Sequence, residues 1–227
     1  MRRLSAQPLD QEITRMYLRT FPSKQLFINP HALPDIDSRH LFGDDQPLHL
    51  EVGCGTADYL RALAHDDPRT NFVGIDLAQK PLLQAISLAA AQALPNIRFI
   101  RGDFKLMYPL LVVGSLKAVS VHFPDPHMQP RFHKRRIVTP AFLDAIYRAL
   151  APDGQLSIMT DHQALFRDIL TLVERDTRFG RAHEEQYLIG FEPTMKSRFQ
   201  RLWEGHGLPT LRLDLRTQRA LEFCGVP

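Results

Sequence analysis

From residue 48 onward, short apolar runs alternate with amphipathic stretches. Residues 48–53, 72–76 and 97–101 read as buried strands, and the segments 56–64 and 79–93 between them repeat apolar positions at helical spacing. A further strand carries Ala118, Val119, Val121 and Phe123 and stops at Pro124-Asp125-Pro126. A helix over 139–150 follows, capped by Thr139 with Pro140 in its first position, then a strand over 155–160 and a helix from Asp161 to about Glu174. Strand, helix and strand in succession predict a parallel sheet with helical crossovers, a doubly wound α/β architecture. Residues 181–189 and 208–215, separated by 193–207, are strand candidates for an antiparallel finish. No internal repeat or low-complexity tract interrupts the pattern.

Residues 1–46 have a different texture. Turn formers and mixed charge break any long period, so they read as an N-terminal extension with one short helix, ahead of a single domain over 47–227. An apolar fraction of 44% suits one sizeable core. The net charge is only +3, so attraction to a polyanion must come from clustered charge. Cys54 and Cys224 lie far apart without CxxC or Cys/His spacing, which argues against a disulfide framework and a structural zinc and for a reducing, cytoplasmic compartment. No stretch approaches the ~18–20 apolar residues that cross a bilayer, and no apolar signal core is present, so neither a membrane nor a metal is expected.

Candidate chemistry gathers after the strand that ends at Phe123. Two prolines fix the backbone around Asp125 at the carboxyl end of a strand, the edge where open α/β sheets bind ligands. Arg131, His133, Lys134, Arg135 and Arg136 follow closely, a cluster suited to phosphates. Taken alone, Asp125 also fits a turn, and the basic run also fits a solvated helix start. The second candidate is the glycine turn Glu51-Val52-Gly53-Cys54-Gly55-Thr56-Ala57-Asp58, a GxG in which Asp58 replaces the third glycine of the dinucleotide fingerprint. Glu51, Asp76 and Asp103 fall at successive strand ends, with Asp76 about twenty residues beyond the glycines, where an acid binds a ribose hydroxyl. Either a nicotinamide or an adenosine cofactor fits so far. The acidic lining repels a pyrophosphate and attracts a sulfonium, which favours S-adenosylmethionine over NAD.

EVGCGTADYL, FVGIDLAQKPL, IRGD, HFPDPHMQPRFHKRR, LSIMTDH and FEPT, in this order, resemble the bacterial tRNA (guanine-N7)-methyltransferases over about residues 47–215. The resemblance implies a class I methyltransferase fold, a Rossmann-like, mostly parallel seven-stranded sheet with an antiparallel C-terminal strand. It also implies S-adenosylmethionine as cofactor and a tRNA variable-loop guanine as acceptor. By that resemblance Glu51, Asp76 and Asp103 hold the cofactor together with Gly53 and Gly55, and Asp125 serves both cofactor contact and catalysis. Asp161 and Thr194 match substrate-contacting positions, and His133, Lys134, Arg135 and Arg136 bind the RNA backbone. Three substrate-side positions depart from the family pattern: His127 replaces a Trp, Gln129 a Lys and Ser197 a Glu. Competing readings are a methyltransferase with another acceptor and a non-catalytic RNA-binding relative, acting as monomer or homodimer.

Overall fold

The structure is a computed structural model and describes residues 10–189, 205 and 209–218. Its strands, in chain order, are β1 (Leu18–Thr20), β2 (Leu48–Val52), β3 (Asn71–Asp76), β4 (Ile97–Arg101), β5 (Leu116–His122), β6 (Leu150–Thr160), β7 (Phe179–Arg181), β8 (Leu188–Ile189) and β9 (Leu211–Thr217). The helices are α1 (Gln11–Tyr17), α2 (Ser23–Ile28), α3 (Ser38–Phe42), α4 (Asp58–Asp66), α5 (Gln79–Ala91), α6 (Pro140–Ala149) and α7 (Gln163–Glu174). All the strands join one sheet in the order β1-β4-β3-β2-β5-β6-β9-β7, with β8 also paired to β9.

From β1 to β6 every pairing is parallel, while β9 runs antiparallel to β6, β7 and β8. The seven strands from β4 to β7 in that order match the doubly wound sheet with an antiparallel finish expected from the sequence. Two features enlarge it to nine. β1 adds to the outer edge of β4, too short to show a period of its own, and the pairing is prolonged by Phe21 N–H donating to Arg101 O at 2.9 Å. The edge expected over 181–189 is broken in two. From Arg181 opposite Leu215, an unbroken antiparallel register would bring residue 184 opposite Arg212, yet Leu188 stands there. The polar run His183-Glu184-Glu185-Gln186 bulges out between them.

The central strands are buried on both faces, as a doubly wound sheet requires. One face packs around Leu50, Ile100, Val119, Phe142 and Ile158, the other around Leu60, Phe72, Leu82, Ile86 and Phe99. The N-terminal residues that are described hold three helices, not one. Phe21, Leu26, Ile36 and Leu41 are buried in the first core, each worth about 1.5–3 kcal/mol, which ties this segment to the sheet. Spaced singly among prolines and turns, they leave no periodic run. Tyr17 Oη donates to Leu94 O at 3.0 Å and adds a polar tether on the second face.

Two helix starts place site residues. Thr139 Oγ1 accepts from Phe142 N–H at 3.2 Å with Pro140 in the first position of α6, as read from the sequence. The cap of α7 is His162, whose Nδ1 accepts from Leu165 N–H at 3.0 Å, so Asp161 stays in the loop closing β6.

Candidate active site

The turn after β2 bends over the end of β3. Gly53 and Cys54 N–H both donate to Ile75 O, at 2.8 and 3.1 Å, and Gly53 and Gly55 reach φ of +76° and +55°, a region that favours glycine. Gly55 N–H then donates to Asp76 Oδ2 at 2.9 Å, and Ala78 N–H to Oδ1 at 2.8 Å. Asp76 is therefore clamped between the glycine turn and its own loop. Asp103 is fixed in a similar way, with Oδ1 accepting from Lys105 N–H at 3.0 Å. Asp58 opens α4 and is paired with Arg61 at 3.1 Å and with the Thr56 hydroxyl. Arg61 thus offsets the charge of the acid that replaces the fingerprint's third glycine.

Below this turn lies a buried polar group that the sequence reading missed, apart from Glu51. Glu51 and His122 are 4% and 8% exposed, with Glu51 Oε1 4.0 Å from His122 Nδ1. Among the described residues neither Glu51 Oε2 nor His122 Nδ1 has a hydrogen-bond partner, whereas His122 Nε2 lies 3.5 Å from Ser157 Oγ. The Tyr59 ring lies 4.7 Å from that of His122, tilted by 59°, and His49 Nε2 sits 2.8 Å from Ser120 Oγ. Burial, followed by the charges of Asp58 and Asp76, pushes the Glu51 carboxyl up to about 8. Burial, followed by the neighbouring Arg212 and His49, holds His122 down to about 3, and burial with Lys117 lowers His49 to about 4. Burial thus favours the neutral form of each of these three groups. Ser120 and His122, alternating with the apolar Val119 and Val121 on a buried strand, were the available signal.

The second half of the site is the loop after β5. Phe123 N–H donates to Met159 O at 2.7 Å, so pairing to β6 persists one residue beyond the strand. Phe123 and His127 then take φ of +51° and +43°, strained for residues other than glycine. Asp125 projects between them, its side chain 70% exposed, accepting from His127 N–H at 2.9 Å. The basic residues form a 3₁₀ turn over Pro130–Arg135. Arg131 and Arg135 both cover the Phe132 ring, at 4.7 and 4.6 Å. Gln129 Oε1 accepts from Arg131 Nε at 2.8 Å, and Lys134 O accepts from Lys105 Nζ at 2.8 Å.

Arg136 is used differently from its neighbours. Its Nε donates to Pro126 O at 3.0 Å, Nη1 to Asp168 Oδ2 at 2.7 Å, and Nη2 lies 3.1 Å from His133 Nε2. It ties the Asp125 loop to α7.

A cavity of about 700 Å³ joins the two halves, lined by Gly53, Asp76, Asp103, His122, Asp125, Lys134 and Arg135 among others. Gly55 touches it through Asp76. Glu51 is one side chain removed, against His122. Gln129, His133 and Arg136 sit on the adjoining surface, and Asp161 lies half buried at the same sheet edge. Thr194 and Ser197 lie outside the described residues. The donor set fits an adenosine cofactor with a cationic arm: a positive-φ glycine turn, a clamped acid at the end of β3, and unpartnered acceptors on Glu51 and His122. Among the described residues no three side chains cluster as metal ligands, and no helix is long and apolar enough to cross a membrane.

Comparison with known proteins agrees with this geometry. A family model described as "Putative methyltransferase" matches residues 45–209. A tRNA (guanine-N(7)-)-methyltransferase of Rubrobacter xylanophilus is 48% identical, covering 94% of this chain and 96% of its own length. One from Chloroflexus aurantiacus is 36% identical over 93% of this chain and 92% of its own. Among solved structures, an antibiotic-related methyltransferase superposes with a TM-score of 0.59 at 15% identity, over 81% of this chain and 95% of that one, a likeness of fold alone.

Proposed function

The chain belongs to the tRNA (guanine-N7)-methyltransferase family, and from that premise we propose that it transfers a methyl group from S-adenosylmethionine to N7 of a guanine in the variable loop of tRNA. The observation that carries this reading is the single cavity in which the clamped acids, Asp125 and the cations Lys134 and Arg135 converge. Gly53, Gly55 and Asp76 would hold the ribose end of the cofactor, with Glu51, Asp103 and Asp125 around the rest. Bound there, the cofactor supplies an electrophilic methyl group.

The protein's own work is then placement. Guanine N7 already offers a lone pair, so no proton has to be removed before attack. Asp125 accepts hydrogen bonds from the donor edge of the base and faces the positive charge that grows on it as N7 is methylated. Pro124, Pro126 and the Arg136 tether keep that carboxylate in place, and misplacement of about 1 Å can cost a hundredfold in rate. Arg131, Lys134 and Arg135 meet phosphates, with Asp161, Thr194 and Ser197 on the substrate side. Residues 47–227 form the methyltransferase domain and 1–46 its extension, acting as monomer or homodimer in the cytoplasm with the tRNA.

The test is methyl transfer from radiolabelled S-adenosylmethionine into tRNA lacking N7-methylguanosine, followed by nucleoside analysis. Label in N7-methylguanosine is expected. Label in another nucleoside, or none despite cofactor binding, would assign the acceptor elsewhere and trace the difference to His127, Gln129 or Ser197.

A further inference from the structure

Lys105 touches both halves of the site, with different atoms. Its backbone N–H donates to Asp103 Oδ1 at 3.0 Å on the side of the clamped acids, and its Nζ crosses to donate to Lys134 O at 2.8 Å on the basic strip. Lys105 and Lys134 both line the cavity. The 3₁₀ turn ends at Arg135, so Lys134 O lies at the end where helical carbonyls lack a partner within their own helix, and an ammonium is a strong donor to such an oxygen. Burial draws the Lys105 ammonium below its ordinary value, while the charge of Asp103 opposes that fall. The strip needs holding. Phe123 and His127 ahead of it are strained, and Arg131, Lys134 and Arg135 crowd like charges along one short turn. Arg136 ties this segment to Pro126 and to α7; Lys105 ties it to the opposite side of the cavity.

We propose that Lys105 is a positioning residue that couples the two ligands, holding the basic strip ready for tRNA when the cofactor fills the cavity. This rests on the cofactor and acceptor proposed above and deepens them by linking their binding. The strip has two states, latched on Lys105 Nζ and released. In the open cavity water competes with Lys134 O for the ammonium. A cofactor placed in this space of about 700 Å³ displaces that water, and a hydrogen bond from a cation strengthens as its surroundings dry. Once latched, Lys134 and Arg135 form a preset pair of phosphate contacts, and tRNA loses less freedom in binding to them. Linkage makes the effect reciprocal: tRNA on the latched strip tightens the cofactor by the same factor.

Filter binding on the full chain tests this, with tRNA lacking N7-methylguanosine titrated in the presence and absence of saturating S-adenosylhomocysteine. In the unsubstituted protein S-adenosylhomocysteine should tighten tRNA about fivefold or more. Lys105→Met, similar in length but without a donor, should cut that gain to below about twofold, with the melting temperature within about two degrees of the parent. Lys105→Arg, which keeps a cationic donor, should recover most of it. Weakening of tRNA by the same factor with and without S-adenosylhomocysteine would make Lys105 an ordinary phosphate contact and overturn the inference. So would an undiminished gain in Lys105→Met, or an unsubstituted protein that binds both ligands without coupling, a result that leaves the proposed function standing. If S-adenosylhomocysteine or tRNA fails to bind the unsubstituted protein, the proposed function falls, and this inference with it.

Discussion

The two walls of the cavity are built on different principles. On the glycine-turn side nearly every polar contact is internal and backbone-based: Ile75 O receives two N–H groups, Asp76 receives two more, and Glu51 and His122 are buried beneath. On the Asp125 side the chain is strained at Phe123 and His127, the carboxylate is largely exposed, and the cations rest on the Phe132 ring. One wall is assembled before any ligand arrives; the other is held at a few points and open to a large partner. A small cofactor rewards the first design, since preorganisation reduces the cost of binding. A polyanion rewards the second, because phosphate contacts are numerous, long-ranged and tolerant of position.

The sharpest way to break this contrast is to remove one aspartate from each wall. Asp76→Ala should lose cofactor binding and also lower the melting temperature, since two backbone donors lose a charged acceptor worth about 1.5–3 kcal/mol each. Asp125→Ala should lower turnover about a hundredfold or more while leaving the melting temperature within about a degree. Thermal melts and single-turnover kinetics on both variants check this. If Asp125→Ala destabilises as much as Asp76→Ala, the walls are not different in kind.

Salt should separate them next. With three phosphates neutralised, raising salt from about 50 to 200 mM weakens tRNA binding roughly fortyfold at a slope near −0.9 per phosphate. Cofactor affinity, set among buried groups, should change little; parallel filter-binding and calorimetric titrations read both.

Within the basic strip, adjacent arginines should diverge. Arg135→Ala should raise KM for tRNA up to about tenfold with kcat retained, as expected for a phosphate contact. Arg136→Ala should lower kcat, because it releases Pro126 and α7 rather than RNA. Identical kinetic signatures would show Arg136 acting on the substrate after all.

The smallest effect concerns stability against pH. Glu51, raised to about 8, contributes stability complete below about pH 4.5 and lost as pH rises through 8. His49 and His122, lowered to about 4 and 3, contribute stability complete above 6.5 and lost as pH falls through those values. Glu51→Gln should flatten the alkaline limb, gaining several degrees on the parent protein between about pH 5 and 8. An unchanged slope would mean that Glu51 is already ionised in the free protein.

Much of this was legible in the sequence because parallel strands buried on both faces write themselves as near-continuous apolar runs, and the glycine turn and PDP loop punctuate them. What was not legible has physical reasons. β1 contributes three residues to an edge and is recruited by pairing with β4, not by any period of its own. The edge after α7 reads as one strand because residues at both ends suit a strand, while the bulge at 182–187 is decided by register on β9. Arg136 is indistinguishable in sequence from Arg135; its bonds to Pro126 O and, across the fold, to Asp168 separate them. The role of His122 was hidden because Ser120 and His122, alternating on a buried strand, mark a polar face without showing which groups of other strands meet it.

The place of β9 bears on how this protein is made. It lies between β6 and β7, so the exposed margin of β6 has no neighbour until residues 211–217 have been synthesised. A nascent chain extending only as far as α7 would carry a finished cofactor half beside an unpaired edge open to self-association. Ribosome-bound intermediates of that length are the species in which a chaperone would find work to do.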